Sequence, residues 1–304
     1  MSPNEKIRLL QDISGLSQSE LARDVGVTFA AYNRWVNKKA IPRKEALLKI
    51  DRLLEKYGVK IDLKLSPVFA KKSAIEVFQK KHPSILKKIL ARPDLIEELS
   101  LQITYNSNAI EGSSLSKEET REVIFENLAL SRPTLNEQLE AKNHHKAFLF
   151  LLKHLKRRGK VTETFMRDLH KILLAGIRDD AGLFRRESVR IVGSYVPTAN
   201  YLKVPLLIKK LFDKRPERDK IDFISSFHAD FEKIHPFADG NGRTGRLILI
   251  AMLLTENMAP AIITKKGRKE YYRALQKAQL EDNYEPILEY ILNAVLRGYR
   301  IIGS

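Results

Sequence analysis

The chain contains no cysteine. That excludes disulfides, thiolate nucleophiles and cysteine-ligated zinc, so any metal must be held by oxygen or histidine. There is also no run of about eighteen consecutive apolar residues, and the opening MSPNEKIRLL has no secretory apolar segment. Neither a membrane span nor export is expected, and the expected compartment is cytoplasmic. Internal repeats and low-complexity tracts are absent as well. Acidic residues are scarce: 37 Asp+Glu stand against 54 Lys+Arg, a net charge of +17. Such an excess favours a polyanionic or phosphorylated partner without identifying one. With 43% hydrophobic residues in 304, the chain can bury a core and has room for two domains.

What is present is mostly helical periodicity. From residue 7 to 54 the sequence reads as short amphipathic helices, IRLLQDIS, SQSELARDVG, TFAAYNRWVNK and RKEALLKIDRLLEKYG. Gly26 and Pro42 break them, and Ser17 and Thr28 stand as N-caps. Leu21, Ala22, Val27, Trp35 and Ile41 fall where a small core needs apolar groups. Around 57–72, Gly58 and Pro67 interrupt the period and the middle alternates like a short strand or linker, which places a domain boundary between 1–62 and 63–304. Helices are then expected over 84–106, 116–130, 137–158, 162–174, 205–212, 221–234, 242–256 and 268–279. One segment differs: SVRIVGSYVPTAN, 188–200, reads as a β-hairpin standing out from the helices. The expected fold class is mainly α, a small helical domain followed by a larger α-helical one with a single hairpin.

The chemistry concentrates in HPFADGNGRTGR, residues 235–246. Pro236 forbids continuation of the helix that reaches His235, and a new helix starts within the motif. Gly240 and Gly242 allow positive φ, so successive N–H groups can point into one concavity at a helix N-terminus, a geometry suited to phosphate oxygens. Arg243 and Arg246, three apart, are expected on about the same side and able to fork onto further phosphate oxygens. Asp239 offers the hard oxygen that Mg²⁺ prefers. His235, ordinarily titrating near ~6.5, is largely neutral at pH 7 and able to take a proton from a hydroxyl. A glycine-rich turn can simply join two helices, but five matched groups in one turn argue for a site. Ahead of it, TYNSNAIEGSSLS puts Ser107 and Glu111 four apart on one helical face that Gly112 ends. His144 and His145 are adjacent on a helix and do not face the same way, so they read as packing and surface rather than as a metal pair.

Two resemblances follow from these residues. GLSQSELARDVGVTFAAYNRWVNKKAIP resembles the helix-turn-helix of phage-repressor and Cro-like proteins, which implies a DNA-binding domain over 1–62. Its recognition helix would run over 28–38, with Thr28, Ala31, Asn33 and Arg34 near bases or phosphates, Lys38, Lys39, Arg43 and Lys44 on the backbone, and Gln18 also among the DNA-binding residues. HPFADGNGRTGR resembles the signature of the Fic family at every defined position. That resemblance implies an α-helical domain over 63–304 that transfers AMP from ATP, with Mg²⁺, to a Tyr, Thr or Ser hydroxyl of a target protein.

Carried over position by position, the resemblance makes His235 the general base, Phe237 the buried anchor of the loop and Asp239 the Mg²⁺ contact. Gly240, Asn241, Gly242, Arg243, Thr244 and Gly245 become the phosphate cradle, and Arg246 the contact to the terminal phosphate. The hairpin becomes a flap in which Arg190, Ile191, Val192 and Gly193 border nucleotide and target. Tyr271, Tyr272 and Gln279 line the adenosine pocket, Gln279 standing where family members often carry Asn; an aromatic pair on a helix is by default core packing. Ser107, Glu111 and Gly112 resemble the family's inhibitory motif on a helix near 103–112, with Glu111 occupying the arginine that the γ-phosphate needs. Related enzymes also use such a glutamate to remove AMP. A homodimer, and a DNA-binding regulator whose Fic domain senses nucleotide or controls its own expression, are further expectations.

Overall fold

The computed structural model describes residues 1–59, 67–190, 196–216 and 219–303. Among them there are α-helices and no strand. The first four helices are α1 (Pro3–Ser14), α2 (Gln18–Val25), α3 (Phe29–Val36) and α4 (Lys44–Lys56). Their starts are written in the sequence. Ser2 with Glu5, and Ser17 with Glu20, form reciprocal capping boxes, and Thr28 accepts from the Ala31 N–H at 3.2 Å. Leu21, Ala22 and Trp35 are buried as expected, and Tyr32, Ile7, Leu10 and Ile50 complete the small core. Val27 is only partly buried against it. Ile41 is a correction: it is 73% exposed, because it lies in the turn between α3 and α4, off the inward face of either helix.

Next come α5 (Pro67–Lys81), α6 (Ile85–Leu90) and α7 (Pro93–Glu111). The start of α5 shows that the end of the 57–72 segment is helix, while 60–66 lie outside the described residues. The single helix expected over 84–106 is two, because Pro93 takes the first position of α7 and holds Arg92 extended. Likewise α8 (Lys117–Arg121) passes into a wide turn at Glu122–Glu126 and stops at Asn127 in the left-handed conformation, short of the expected 130.

The remainder is α9 (Leu135–Lys156), α10 (Glu163–Leu173), α11 (Val204–Asp213), α12 (Lys220–Ile234), α13 (Asn241–Thr255), α14 (Arg268–Glu281) and α15 (Glu285–Gly303). α13 is the axle of this array: it packs against α7, α9, α10 and α12, and is buried along nearly its whole length. Around it α12, α14 and α15 form a second layer. The centre of the expected hairpin, 191–195, including Ile191, Val192 and Gly193, lies outside the described residues. Its flanks carry no strand; Thr198 Oγ1 donates to the Val189 carbonyl at 2.7 Å.

The N-terminal helices are packed onto this array, not tethered beside it. α1 and α5 both lie against α15, in one continuous apolar core. Polar links reinforce the seam: Arg300 pairs with Asp12, Lys81 donates to the Ile13 carbonyl at 2.9 Å, and the buried Lys71 reaches Glu289 at 2.7 Å and Glu5 at 3.6 Å. No described helix is long and apolar enough to cross a membrane.

Candidate active site

The motif 235–246 bridges α12 and α13 in a turn whose shape is fixed from inside. His235 ends α12 in the left-handed conformation, φ 52°. Phe237 is fully buried and stacks on the His170 ring, with centroids 3.6 Å apart. The Asn241 side chain closes the loop: its Oδ1 accepts from the Phe237 N–H and its Nδ2 donates to the Phe237 carbonyl, both at 2.8 Å. The Thr244 hydroxyl donates to the Gly240 carbonyl at 2.8 Å. Asn241 and Thr244 thus have side chains spent on holding the loop, and the Thr244 N–H is also given to the Gly240 carbonyl, at 3.0 Å, so of the two only Asn241 has a backbone N–H to offer.

The glycines divide their work differently from the expectation. Gly240 has φ 72°, but Gly242 is helical, so a special backbone angle is not its reason for being glycine. Space is: a Cβ at Gly242 would stand 2.4 Å from Glu111 Oε1 and 2.9 Å from Arg246 Nη1. At the start of α13 no side chain caps the first-turn N–H groups, which leaves donors and partial positive charge facing the loop.

The two arginines do not act as a pair on one side. Arg243 is buried and turns to α9, pairing with Glu140, with Asp239 at 3.4 Å as a weaker partner. Arg246, also buried, turns to α7: Nη2 meets Glu111 Oε1 at 2.7 Å and the Ser107 carbonyl at 3.0 Å, while Nε donates to Ser107 Oγ at 3.0 Å. Packing decides this, since α13 sits between α7 and α9 and each buried guanidinium needs its own carboxylate. Burial opposes the Arg246 charge, yet Glu111 beside it holds its pKa above the ordinary arginine value. Gly112 ends α7 with φ 110°.

One ring nitrogen of His235 is engaged and the other is not. Its Nδ1 lies 3.2 Å from the Glu232 carbonyl, which can only accept, so Nδ1 carries the hydrogen and Nε2 presents a lone pair. Burial lowers its pKa, which keeps the ring neutral near pH 7. Asp239 is half exposed beside the α13 terminus, with Oδ1 accepting from the Gly240 N–H at 2.6 Å. No group of three or more metal-ligating side chains occurs among the described residues.

Several residues that matter here had no motif to flag them. Arg185 is buried and donates to the carbonyls of His235 and Glu187, each at 2.7 Å, and of Ala199, tying the loop to the base of the 188–200 segment. His170 accepts from the Gly182 N–H at Nδ1 and donates from Nε2 to the Asp239 carbonyl at 2.9 Å; burial depresses its pKa to about 4. Glu140 and Glu232 are the other two. For His170, Glu140 and Glu232 the signal available was only a polar residue at an inward helical position, and for Arg185, which lies between helices, there was none.

Tyr271 is fully buried with its hydroxyl 2.7 Å from His228 Nε2, the default core role of an aromatic pair. Tyr272 is partly buried, with the Arg268 guanidinium over its ring. Gln279 is committed elsewhere, its amide donating to the Ala229 carbonyl at 3.2 Å. Arg190 is exposed. His144 is fully buried, and His145 lies 2.5 Å from Ser100 Oγ, so neither joins a metal site.

On the N-terminal helices, Thr28 and Arg34 are exposed along α3, with Phe29 at 52%. Gln18 and Asn33 bond each other at 3.0 Å, and Asn37 donates on to Asn33 at 2.9 Å, a brace between α2 and α3. Lys38, just past α3, lines a polar cleft of about 370 Å³ whose other wall carries Arg297 and Arg300 of α15.

Comparison with known proteins agrees with this architecture. Residues 160–253 match the model of the Fic/DOC family and residues 8–60 that of a helix-turn-helix. A protein adenylyltransferase Fic from Aedes aegypti is 28% identical over 211 residues, 66% of this chain and 41% of that protein. The like-named protein of Nematostella vectensis is 28% identical over 266 residues, 84% of this chain and 57% of that one. The chain therefore spans about half the length of these relatives or less. Among solved structures, a Fic family protein from Desulfovibrio desulfuricans shares the fold with a TM-score of 0.66 at 24% identity, over 78% of this chain and 74% of that one. Fic-1 from C. elegans does so with a TM-score of 0.61 at 21% identity, over 96% and 98%. The chain carries a Fic domain with a helix-turn-helix domain on its N-terminal side.

Proposed function

We propose that this protein is an adenylyltransferase that moves AMP from ATP to a Tyr, Thr or Ser hydroxyl of a target protein, and that Glu111 holds it in check. The observation that carries the reading is the arrangement at α13: a neutral histidine with a free Nε2, an uncapped helix N-terminus, and a buried arginine already occupied by a carboxylate.

In this reading the phosphates lie over the first turn of α13, where the N–H groups of Gly242 and its neighbours donate and Arg246 takes the terminal phosphate. The target hydroxyl attacks the α-phosphorus in line and gives its proton to His235 Nε2. The new O–P bond forms as the bond to the β-phosphate oxygen breaks, and pyrophosphate leaves with the electron pair. The exposed Asp239 carboxylate fits a Mg²⁺ held mostly by phosphates and water, and would be its protein contact; bound there, the ion would offset charge on the leaving group. Arg190 would border the target, and Tyr272, the less buried of the two tyrosines, the adenosine.

Glu111 inhibits by prior occupation. While it pairs with Arg246 at 2.7 Å, a γ-phosphate has no guanidinium to meet, and the bound nucleotide does not reach the reactive posture. The test is incubation of wild type, Glu111→Gly and Glu111→Gly/His235→Ala with labelled ATP, CTP, GTP and UTP, Mg²⁺ and lysate. Label should rise in the single variant, with ATP preferred, and vanish in the double. Equal incorporation by wild type and Glu111→Gly would sink the self-inhibition. Release of AMP from labelled target by wild type, lost in Glu111→Gly, would instead favour removal of AMP.

The domain boundary we propose lies at 62/63, with 1–62 a DNA-binding domain, favoured by the exposed Thr28 and Arg34 on a braced recognition helix. A salt-sensitive, sequence-specific DNA shift would support it. A homodimer and a cytoplasmic setting complete the proposal. If DNA affinity is unmoved by ATP or AMPylation, the Fic domain does not control DNA binding.

A further inference from the structure

Arg246 has a second acidic neighbour. Glu232, on α12 three residues before His235, is 6% exposed and sits beneath the first turns of α13, its Oε1 only 2.5 Å from where a Cβ on Gly245 would stand. That oxygen has no hydrogen-bond partner. A buried carboxylate left in this state is costly, whereas a protonated carboxyl is tolerated. The charged and titratable groups acting on it come from three neighbouring elements: Arg246 of α13, Glu111 of α7, and Tyr271 and Tyr272 of α14. Burial pushes its pKa up to about 7; Arg246 opposes that rise and the Glu111 charge adds to it. So two carboxyl groups compete for one guanidinium, and the hydrogen-bonded one is Glu111.

We propose that Glu232 is a positioning residue, an internal carboxyl that takes over Arg246 when Glu111 lets go and yields it to a phosphate by accepting a proton. The inference rests on the adenylyltransferase reading only for the identity of the phosphate. In the resting state Glu111 neutralises Arg246 and Glu232 keeps its proton below about pH 7. Removal of Glu111 withdraws a like charge from Glu232, which then ionises and holds the guanidinium facing the loop. A γ-phosphate restores negative charge at Arg246, so Glu232 takes a proton up again. Nucleotide binding to the released enzyme is thereby coupled to proton uptake, and weakens as pH rises. The carbonyl of the same residue accepts from the His235 ring, so the arginine and the base are registered to one residue of α12.

Two measurements test this. Without nucleotide, Glu232→Gln is made in the wild-type and Glu111→Gly backgrounds and the melting temperature is followed at pH 8. With Glu111 present the substitution should raise the melting temperature or leave it unchanged; with Glu111→Gly it should lower it. The same change in both backgrounds overturns the proposal. With nucleotide, the Kd of a non-hydrolysable ATP analogue is measured between pH 5.5 and 7.5 for Glu111→Gly and for Glu111→Gly/Glu232→Gln, the second variant taking out the titration of the analogue's own phosphates. Over that range binding to Glu111→Gly should weaken with rising pH by up to about tenfold per unit more than binding to the Glu232→Gln double variant. Parallel profiles overturn the coupling. Absence of analogue binding at every pH would overturn the adenylyltransferase reading, and the melting comparison would still decide the role of Glu232.

Discussion

The 235–246 turn and the face of α3 both carry arginine, and they are built on opposite terms. At the turn, Arg243, Arg246 and the neighbouring Arg185 are buried, and each is held by carboxylates or carbonyls, with Arg243 Nε left without a hydrogen-bond partner. On α3, Arg34 is exposed and no ion pair to it occurs among the described residues. A buried charge cannot stand without a partner, so changing what it binds means exchanging partners. That makes a switch. An exposed charge needs none and acts through solvent on whatever polyanion approaches, which makes a salt-dependent surface.

The sharpest way to break this contrast is to remove groups from the buried side. His235→Ala in the Glu111→Gly background should lower AMP transfer by about 10²–10⁴-fold in a labelled-ATP assay. A loss under tenfold would show that proton abstraction is not its task. Phe237→Ala should cost about 3–5 kcal/mol of stability in denaturant unfolding, since the ring is fully buried on His170. Asn241→Ala should cost about 1–3 kcal/mol by the same measurement, because it strands both backbone groups of the buried Phe237.

Acid offers a way to strain the buried side without mutation. His170 and His228 have pKa values held by burial at about 4 and about 3, below their value in the unfolded chain. Their contribution is complete above about pH 6.5 and is lost progressively as pH falls toward those values. Glu232 runs the other way: its raised pKa costs stability as pH climbs from the ordinary glutamate range to about 7. Two histidines outweigh one glutamate, so the melting temperature should drop below pH 6.5, and more steeply in Glu232→Gln. A flat profile between pH 4 and 6.5 would contradict the burial of both rings. The smallest effect belongs to the open side. Arg34→Ala should leave the melting temperature unchanged and reduce the salt slope of DNA binding by about one.

Much of this was legible in the sequence because some constraints are local. The capping boxes at Ser17 and the cap at Thr28 need only neighbours three residues away, and Pro236 ends α12 whatever surrounds it. The pairing of Glu111 with Arg246 was legible through resemblance to a family motif, since 135 residues separate them. Where the reading failed, tertiary packing had decided. Arg243 and Arg246 are close on a helical wheel, but α13 is wedged between α7 and α9 and sends each to a different wall. Gly242 looked like a conformational glycine and is a clearance for Glu111. Ile41 looked like core and belongs to a turn. Glu232 and Arg185 carry no diagnostic local pattern: what acts on Glu232 comes from α7 and α13, and Arg185 gathers carbonyls from the end of α12 and from the 188–200 segment's flanks.

α15 has a consequence of a different kind. It packs on α12 and α14 on one side and bears α1, α5 and the Arg300–Asp12 pair on the other. A helix with two tenants is evolutionarily expensive: a substitution that suits one face is audited by the other. The N-terminal helices and the helical array are therefore coupled in stability through one shared wall, and neither can be exchanged for another domain without rebuilding α15.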